Sequence, residues 1–233
     1  MKRLILLIFA VCLSVGASAK VELPKVLGSN MVLQQNSMAN LWGKATPNSK
    51  ITITVSSRTI AGAWNKLRRI QTSADGEGRW SAKVDTPAAT FEPQTITISD
   101  GEVLKLTNIL IGDVWVCSGQ SNMERPVKGF GRQPVENSMD YILSAAKEAN
   151  RIRMFTVKRA RSYNEDKEDC EGGEWFCASP QSVANMSATA YFFAYNLASA
   201  INIPIGIITT NWGGTRVESW MPMKALEDIL TKE

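Results

Sequence analysis

The segment that most narrows the fold is residues 109–117, a nearly continuous apolar run that ends at Ser118-Gly119. Such a strand is buried on both faces, the habit of parallel sheets covered by helices. Parallel neighbours need long crossovers, so helices and strands should alternate downstream. Residues 135–149 put Val135, Met139, Ile142, Leu143 and Ala146 on one helical side, and residues 152–157 return to strand. Residues 188–201 predict an aromatic-rich helix and residues 205–210 another buried strand. Pro222 suits the first turn of a last helix. Between these, residues 158–174 are charged, carry Gly172 and Gly173, and read as a surface loop.

Upstream the rhythm differs. Residues 39–44, 50–55, 78–83, 94–99 and 103–108 have strand length with β-branched or aromatic content. Thr46-Pro47-Asn48, Asp75-Gly76 and Asp100-Gly101 supply turns between them. Short strands at this spacing predict a small β-sandwich. The expected class is α/β, with a β-sandwich-like module over residues 20–108 and a domain with a parallel sheet over residues 109–233.

Residues 1–19 read as an export signal: Lys2 and Arg3, an apolar run over residues 4–15, then Ala17-Ser18-Ala19. The run is shorter than a membrane span, so no membrane association is expected after cleavage, and the product would be periplasmic or secreted. Lys2 and Arg3 leave with the signal, reducing a formal charge that is only +4 to begin with. A nearly neutral surface argues against a nucleic-acid partner. Of four cysteines Cys12 is lost with the signal. Cys117, within the apolar strand, reads as a buried free thiol. Cys170 and Cys177 flank Glu171-Gly172-Gly173, where an exported protein has the option of a loop disulfide.

The chemistry concentrates at two strand ends. The apolar strand runs into Gly119-Gln120-Ser121-Asn122-Met123, so Ser121 lies at the carboxyl end, where open α/β sheets place their ligands. A serine there is a candidate nucleophile, with the logic of a strand-to-turn elbow although Met123 replaces its second glycine. It could equally cap the following turn. The strand over residues 205–210 runs into Asn211-Trp212-Gly213-Gly214-Thr215. Paired glycines let a backbone N–H face a site, as an oxyanion hole requires, though they also suit a plain β-to-α turn.

Taken in order, these strings resemble the sialate O-acetylesterase family of the SGNH hydrolase superfamily. The resemblance also includes Gly112-Asp113-Val114-Trp115 and the earlier Asn30-Met31-Val32-Leu33-Gln34, Leu41-Trp42-Gly43 and Asp75-Gly76-Glu77-Gly78-Arg79-Trp80. Ser187-Ala188-Thr189-Ala190-Tyr191-Phe192-Phe193 resembles the helix before the second glycine block. The resemblance implies an SGNH-type three-layer α/β domain that hydrolyses acetyl esters on a carbohydrate, with sialic acid among the candidates, using no metal or other cofactor. Ser121 would be the nucleophile, and its N–H with that of Gly213 or Gly214 would form the oxyanion hole. Gln120, Asn122 and Arg216 flank the motifs as candidates for shaping the pocket. Arg125 departs from the apolar or aromatic residue the family pattern has there.

A serine hydroxyl needs a base to take its proton, usually a histidine held by a carboxylate. This chain contains no histidine. The family's Asp-x-x-His and Gln-Gly-Glu segments have no counterpart before Glu233, and Asp113 reads as structural. The expectation is an incomplete domain, inactive alone or completed by its C-terminal part as a separate chain. The competing expectation is an exported carbohydrate-binding protein without turnover.

Overall fold

The computed structural model describes residues 21–58, 64–163 and 166–230. The expected signal over residues 1–19 lies outside them. Seven strands come first: β1 Val32–Gln34, β2 Ser37–Lys44, β3 Lys50–Arg58, β4 Trp64–Ser73, β5 Arg79–Thr86, β6 Thr90–Ser99 and β7 Val103–Gly119. Helices α1 Ser121–Glu124 and α2 Ser138–Ser144 lead to β8 Ile152–Thr156 and β9 Trp175–Cys177. Then come α3 Pro180–Ala184, α4 Ala188–Ile201, β10 Ile205–Asn211 and α5 Met223–Leu230. No helix among the described residues is long and apolar enough to cross a membrane.

The fold is mixed α/β. One sheet runs β4-β3-β6-β7-β10-β8-β9, with β1 also beside β7, and β2 pairs with β5 in a separate two-stranded sheet. The large sheet is mixed, not purely parallel, because β3, β4 and β6 pair antiparallel and β9 adds antiparallel to β8. The strands expected over 103–108 and 109–117 are one strand. β7 pairs antiparallel with β6 from Val103 to Ile111 and parallel with β10 from Asp113 to Gly119. Asn108, at φ 58, and register shifts in β6 absorb the change of direction without ending the ladder. The expected boundary at 108/109 therefore falls inside β7.

Two cores follow from the side-chain alternation. Along β5, Trp80, Ala82, Val84 and Thr86 are buried while their neighbours are exposed. With Leu41 of β2, Trp80, Ala82 and Val84 belong to a cluster that includes Ile51 and Ile53 of β3, Ile96 and Ile98 of β6, and Ile109 of β7. The second core puts Ala190, Tyr191, Ala194 and Ala198 of α4 in one cluster with Ile152 and Met154 of β8 and Ile205 and Ile207 of β10. α4 has the predicted bounds. Ser187 Oγ accepts the Ala190 N–H at 3.2 Å, and Asn202 ends the helix in the left-handed region at φ 50.

The optional disulfide between Cys170 and Cys177 does not form, and all three described cysteines are free thiols. Cys177 instead faces Arg153, whose guanidinium Nη1 donates to its sulfur at 2.7 Å and whose Nη2 donates to Asn108 Oδ1 at 3.3 Å. Arg153 is only 1% exposed, and this desolvation lowers its pKa from the usual arginine value.

Candidate active site

The two motif-bearing loops leave the sheet side by side, because β7 and β10 pair in parallel with Gly119 opposite Asn211. Trp212 N–H donates to Gly119 O at 3.2 Å, which holds the second loop to the end of the first strand. A Cβ at Gly119 would lie 3.1 Å from Met123 Cβ, so glycine leaves room for the chain to turn into α1. Gln120 is the cap residue and makes no side-chain cap bond. Ser121 is therefore the first helical residue, and the capping alternative is not realised. It is exposed, and among the described residues its hydroxyl has no hydrogen-bond partner.

The turn around Ser121 is braced from α4. Ala188 N–H donates to Arg125 O at 2.8 Å, Thr189 Oγ1 to Asn122 O at 3.1 Å, and Ser187 Oγ to Met123 Sδ at 3.3 Å. The Ser-Ala-Thr string thus starts α4 and fixes the turn that carries Ser121 together. Arg125 donates to Gln133 Oε1 at 2.9 Å.

Gly213 lies against this turn. A Cβ there would be 3.6 Å from Ser121 Cα and would collide with Glu124 Oε2. The Gly213 N–H donates to that Glu124 carboxylate. Glu124 Oε1 also meets Arg159 Nη2 at 2.5 Å, and Arg159 Nε donates to Asn211 O at 3.1 Å. Gly214 turns the loop in the left-handed region at φ 78. Burial pushes the nearby Cys117 thiol up from its ordinary pKa.

An open groove of 310 Å³ passes Gly119 and Gln120 and is lined on its other side by Arg216, Val217 and Trp220. It brings Gln120 and Arg216 together. Asn122 lies outside that lining and contributes its carbonyl to Thr189. A neighbouring cavity of 640 Å³ continues past Gly213 and Gly214 to Arg161, Tyr163, Trp212 and Trp220. The Arg161 guanidinium lies over the Trp212 ring, 5.2 Å from its centroid.

The sequence reading missed Glu124, Arg159 and Arg161. The available signal was topological. β8 ends at Thr156 in register with Thr209 of β10, so the residues that follow emerge at the same sheet edge as Ser121.

Residues 111–232 match the family described as carbohydrate esterase, sialic acid-specific acetylesterase. Rat sialate O-acetylesterase is 27% identical over 96% of this chain and 42% of its own length. The human protein of that name is 28% identical over 86% of this chain and 39% of its own. The crystal structure of a carbohydrate acetylesterase from Xanthomonas citri superposes with a TM-score of 0.77 at 30% identity, covering 90% of this chain and 44% of that one. The chain spans about 40% of the length of these curated relatives. With the match covering more than half of its residues, the chain belongs to the sialic acid-specific acetylesterase family of carbohydrate esterases.

Proposed function

We infer that this chain carries the nucleophile side of an exported serine esterase that removes acetyl groups from carbohydrates, and that Ser121 is the nucleophile. The observation that carries the reading is an exposed serine just past the end of β7 whose hydroxyl has no partner among the described residues, with Gly213 near enough that a Cβ on it would lie 3.6 Å from the Ser121 Cα. The β-rich front of the chain, up to the first half of β7, then forms a small β-sandwich module, the β2–β5 ribbon lying over the larger sheet. Residues 109–233 supply part of a three-layer SGNH-type domain.

Ser121 Oγ attacks the acetyl carbonyl carbon and gives its proton to a base. The carbonyl π electrons move to oxygen, where the Ser121 N–H and a glycine N–H of the second loop hold the charge. Collapse expels the sugar hydroxyl, which takes the proton back, and leaves acetyl-Ser121. Water then attacks that ester and releases acetate. The base lies outside this chain, which has no histidine. Gln120 and Arg216 border the groove in which the sugar sits.

The test is hydrolysis of p-nitrophenyl acetate and of an O-acetylated sugar by the chain and by Ser121→Ala. Without a base, turnover should not exceed roughly 10³–10⁴ over water, the residue that binding and oxyanion stabilisation leave in serine proteases stripped of their triad. Adding a polypeptide that supplies the base should raise it, and only with Ser121 present. Faster hydrolysis by the chain alone, or hydrolysis indifferent to Ser121→Ala, contradicts the reading.

A further inference from the structure

Two strings near the front of the chain, Leu41-Trp42-Gly43 and Asp75-Gly76-Glu77-Gly78-Arg79-Trp80, have no role in the acyl-transfer steps. Antiparallel pairing of β2 with β5 sets them side by side, with Gly43 opposite Trp80 and Lys44 opposite Arg79. Residues directly opposite share a face, and faces alternate along each strand. Trp80 therefore turns into the first core at 4% exposed, while Trp42, Lys44 and Arg79 share the outer face. The Trp42 indole is 37% exposed there, between the exposed polar residues Asn40 and Lys44.

A groove of 480 Å³ opens at this place, lined by Trp42, Lys44 and Arg79 together with Glu22, Glu168 and Asp169. Its polar groups are held in position. Asp75 Oδ2 accepts the Arg79 Nε–H at 3.1 Å, and Glu77 pairs with the same guanidinium. Both Asp169 carboxylate oxygens lie 3.1 Å from the Lys25 N–H donor, and Glu168 meets Lys44 at 3.5 Å, which ties the charged loop to the front of the chain. The Glu22 backbone exchanges hydrogen bonds of 2.8 and 2.9 Å with Lys44, and its exposed carboxylate has no partner among the described residues.

An indole ringed by carboxylates and cations matches one ligand chemistry. A pyranose presents a C–H face that packs on an aromatic ring and a rim of hydroxyls that donate to carboxylates and accept from Lys and Arg. An apolar peptide would leave those charged groups unsatisfied. Lys44 already faces Glu168, and Arg79 faces Asp75 and Glu77, so the groove offers hydrogen bonds with little net field. That selects an uncharged saccharide over an acidic one.

We propose that this groove on the β2–β5 ribbon is a second carbohydrate subsite, which binds a neutral part of the same glycan whose acetylated sugar sits at Ser121. Asp169 supports the link. It also lines a cavity of 190 Å³ that passes Arg161, Trp212 and Trp220, and those three residues line the cavity beside Gly213 as well. The two sites are thus flanks of one loop, and an oligosaccharide lying across it occupies both. In naming a shared glycan the inference rests on the esterase reading; the groove itself does not.

The test is titration of the chain with neutral β-linked hexasaccharides of glucose, xylose, mannose and N-acetylglucosamine, none carrying an ester, read by calorimetry and by the indole N–H signals in NMR. At least one should bind with a Kd below about 1 mM and shift the Trp42 signal. Trp42→Ala should weaken that binding at least about tenfold. Because Trp42→Ala also removes ribbon packing, Glu22→Ala serves as the second variant. It should melt within about 2 °C of the parent and weaken binding about fivefold. Phe91→Ala, which deletes a comparably exposed ring on β6, should leave binding unchanged. No hexasaccharide bound below about 1 mM, or binding indifferent to Trp42→Ala and Glu22→Ala, overturns the subsite. Tighter binding of a sialic acid oligomer than of every neutral hexasaccharide overturns the ligand class. Since no ester is cleaved, failure here leaves the Ser121 assay standing, and failure of that assay leaves binding at Trp42 standing.

Discussion

The Gly213 N–H donates to the Glu124 carboxylate, three residues after Ser121. The same carboxylate holds Arg159, which holds the Asn211 carbonyl. One acidic side chain therefore ties together the ends of β7, β8 and β10 and occupies the backbone donor of Gly213. If Gly213 acts in the oxyanion hole, Glu124 must yield that N–H; if Glu124 keeps it, the role falls to Gly214.

Replacing Glu124 separates these functions. Glu124→Ala should cost about 1.5–3 kcal/mol, as for a hydrogen bond to a charged group, and should release the Gly213 amide to fast hydrogen exchange. Glu124→Gln keeps an acceptor for Gly213, so its amide should stay protected while the ion pair with Arg159 is lost. Amide exchange followed by NMR reads both, and equal exchange in the two variants would show that the carboxylate does not hold the loop.

Two glycines should differ sharply. A Cβ on Gly112 would sit 2.0 Å from the Pro204 carbonyl oxygen, a backbone atom fixed by the β7–β10 ladder. Gly112→Ala should cost about 3 kcal/mol or more, beyond the usual range for overpacking. Nothing lies within 4 Å of a Cβ on Gly76, and Gly76→Ala should change stability by no more than about 1 kcal/mol. Urea unfolding midpoints would check the contrast.

Thiol counting tests the absence of a bridge. Alkylation of denatured, unreduced protein should modify Cys117, Cys170 and Cys177 alike. Mass spectrometry showing Cys170 and Cys177 unmodified until a reductant is added would establish the disulfide instead.

Acid should weaken one turn. Asp75 has its pKa lowered from the usual carboxylate value, chiefly by the backbone N–H of Arg79, with the Glu77 N–H and the Arg79 guanidinium also contributing. A depressed folded pKa means this contribution is present above the unfolded value and is lost as pH falls through the folded one. The stability gap between the parent and Asp75→Asn should therefore narrow as pH drops below about 4. A gap constant from pH 6 to pH 2.5 would contradict the assignment.

How much of this was legible in the chain varied with how local the cause was. α4 was readable because Ser187, Asn202 and the apolar face between them are local signals. β7 was split in two because the pattern changes at residue 109 to a continuous apolar run, whereas a single left-handed residue is enough to kink a strand that stays paired. β4 was missed because Lys66, Arg68 and Arg69 interrupt its apolar pattern; it is the edge strand, where charge is tolerated and protects against pairing. β9 has only three residues and follows the glycines of a charged loop. The proximity of the Ser121 and Gly213 loops was legible from their places at strand ends, but Glu124's bond to Gly213 depends on the register of β7 against β10, which no short motif encodes.

The unbroken run of β7 has a practical consequence for anyone rearranging this protein. A cut between residues 108 and 109 would sever a rod whose front end is seated in the first core and whose far end leads into the turn that carries Ser121. The leading β-rich half is thus not a detachable accessory. It fixes the angle at which Ser121 is offered, and swapping it for an unrelated module would re-aim the serine.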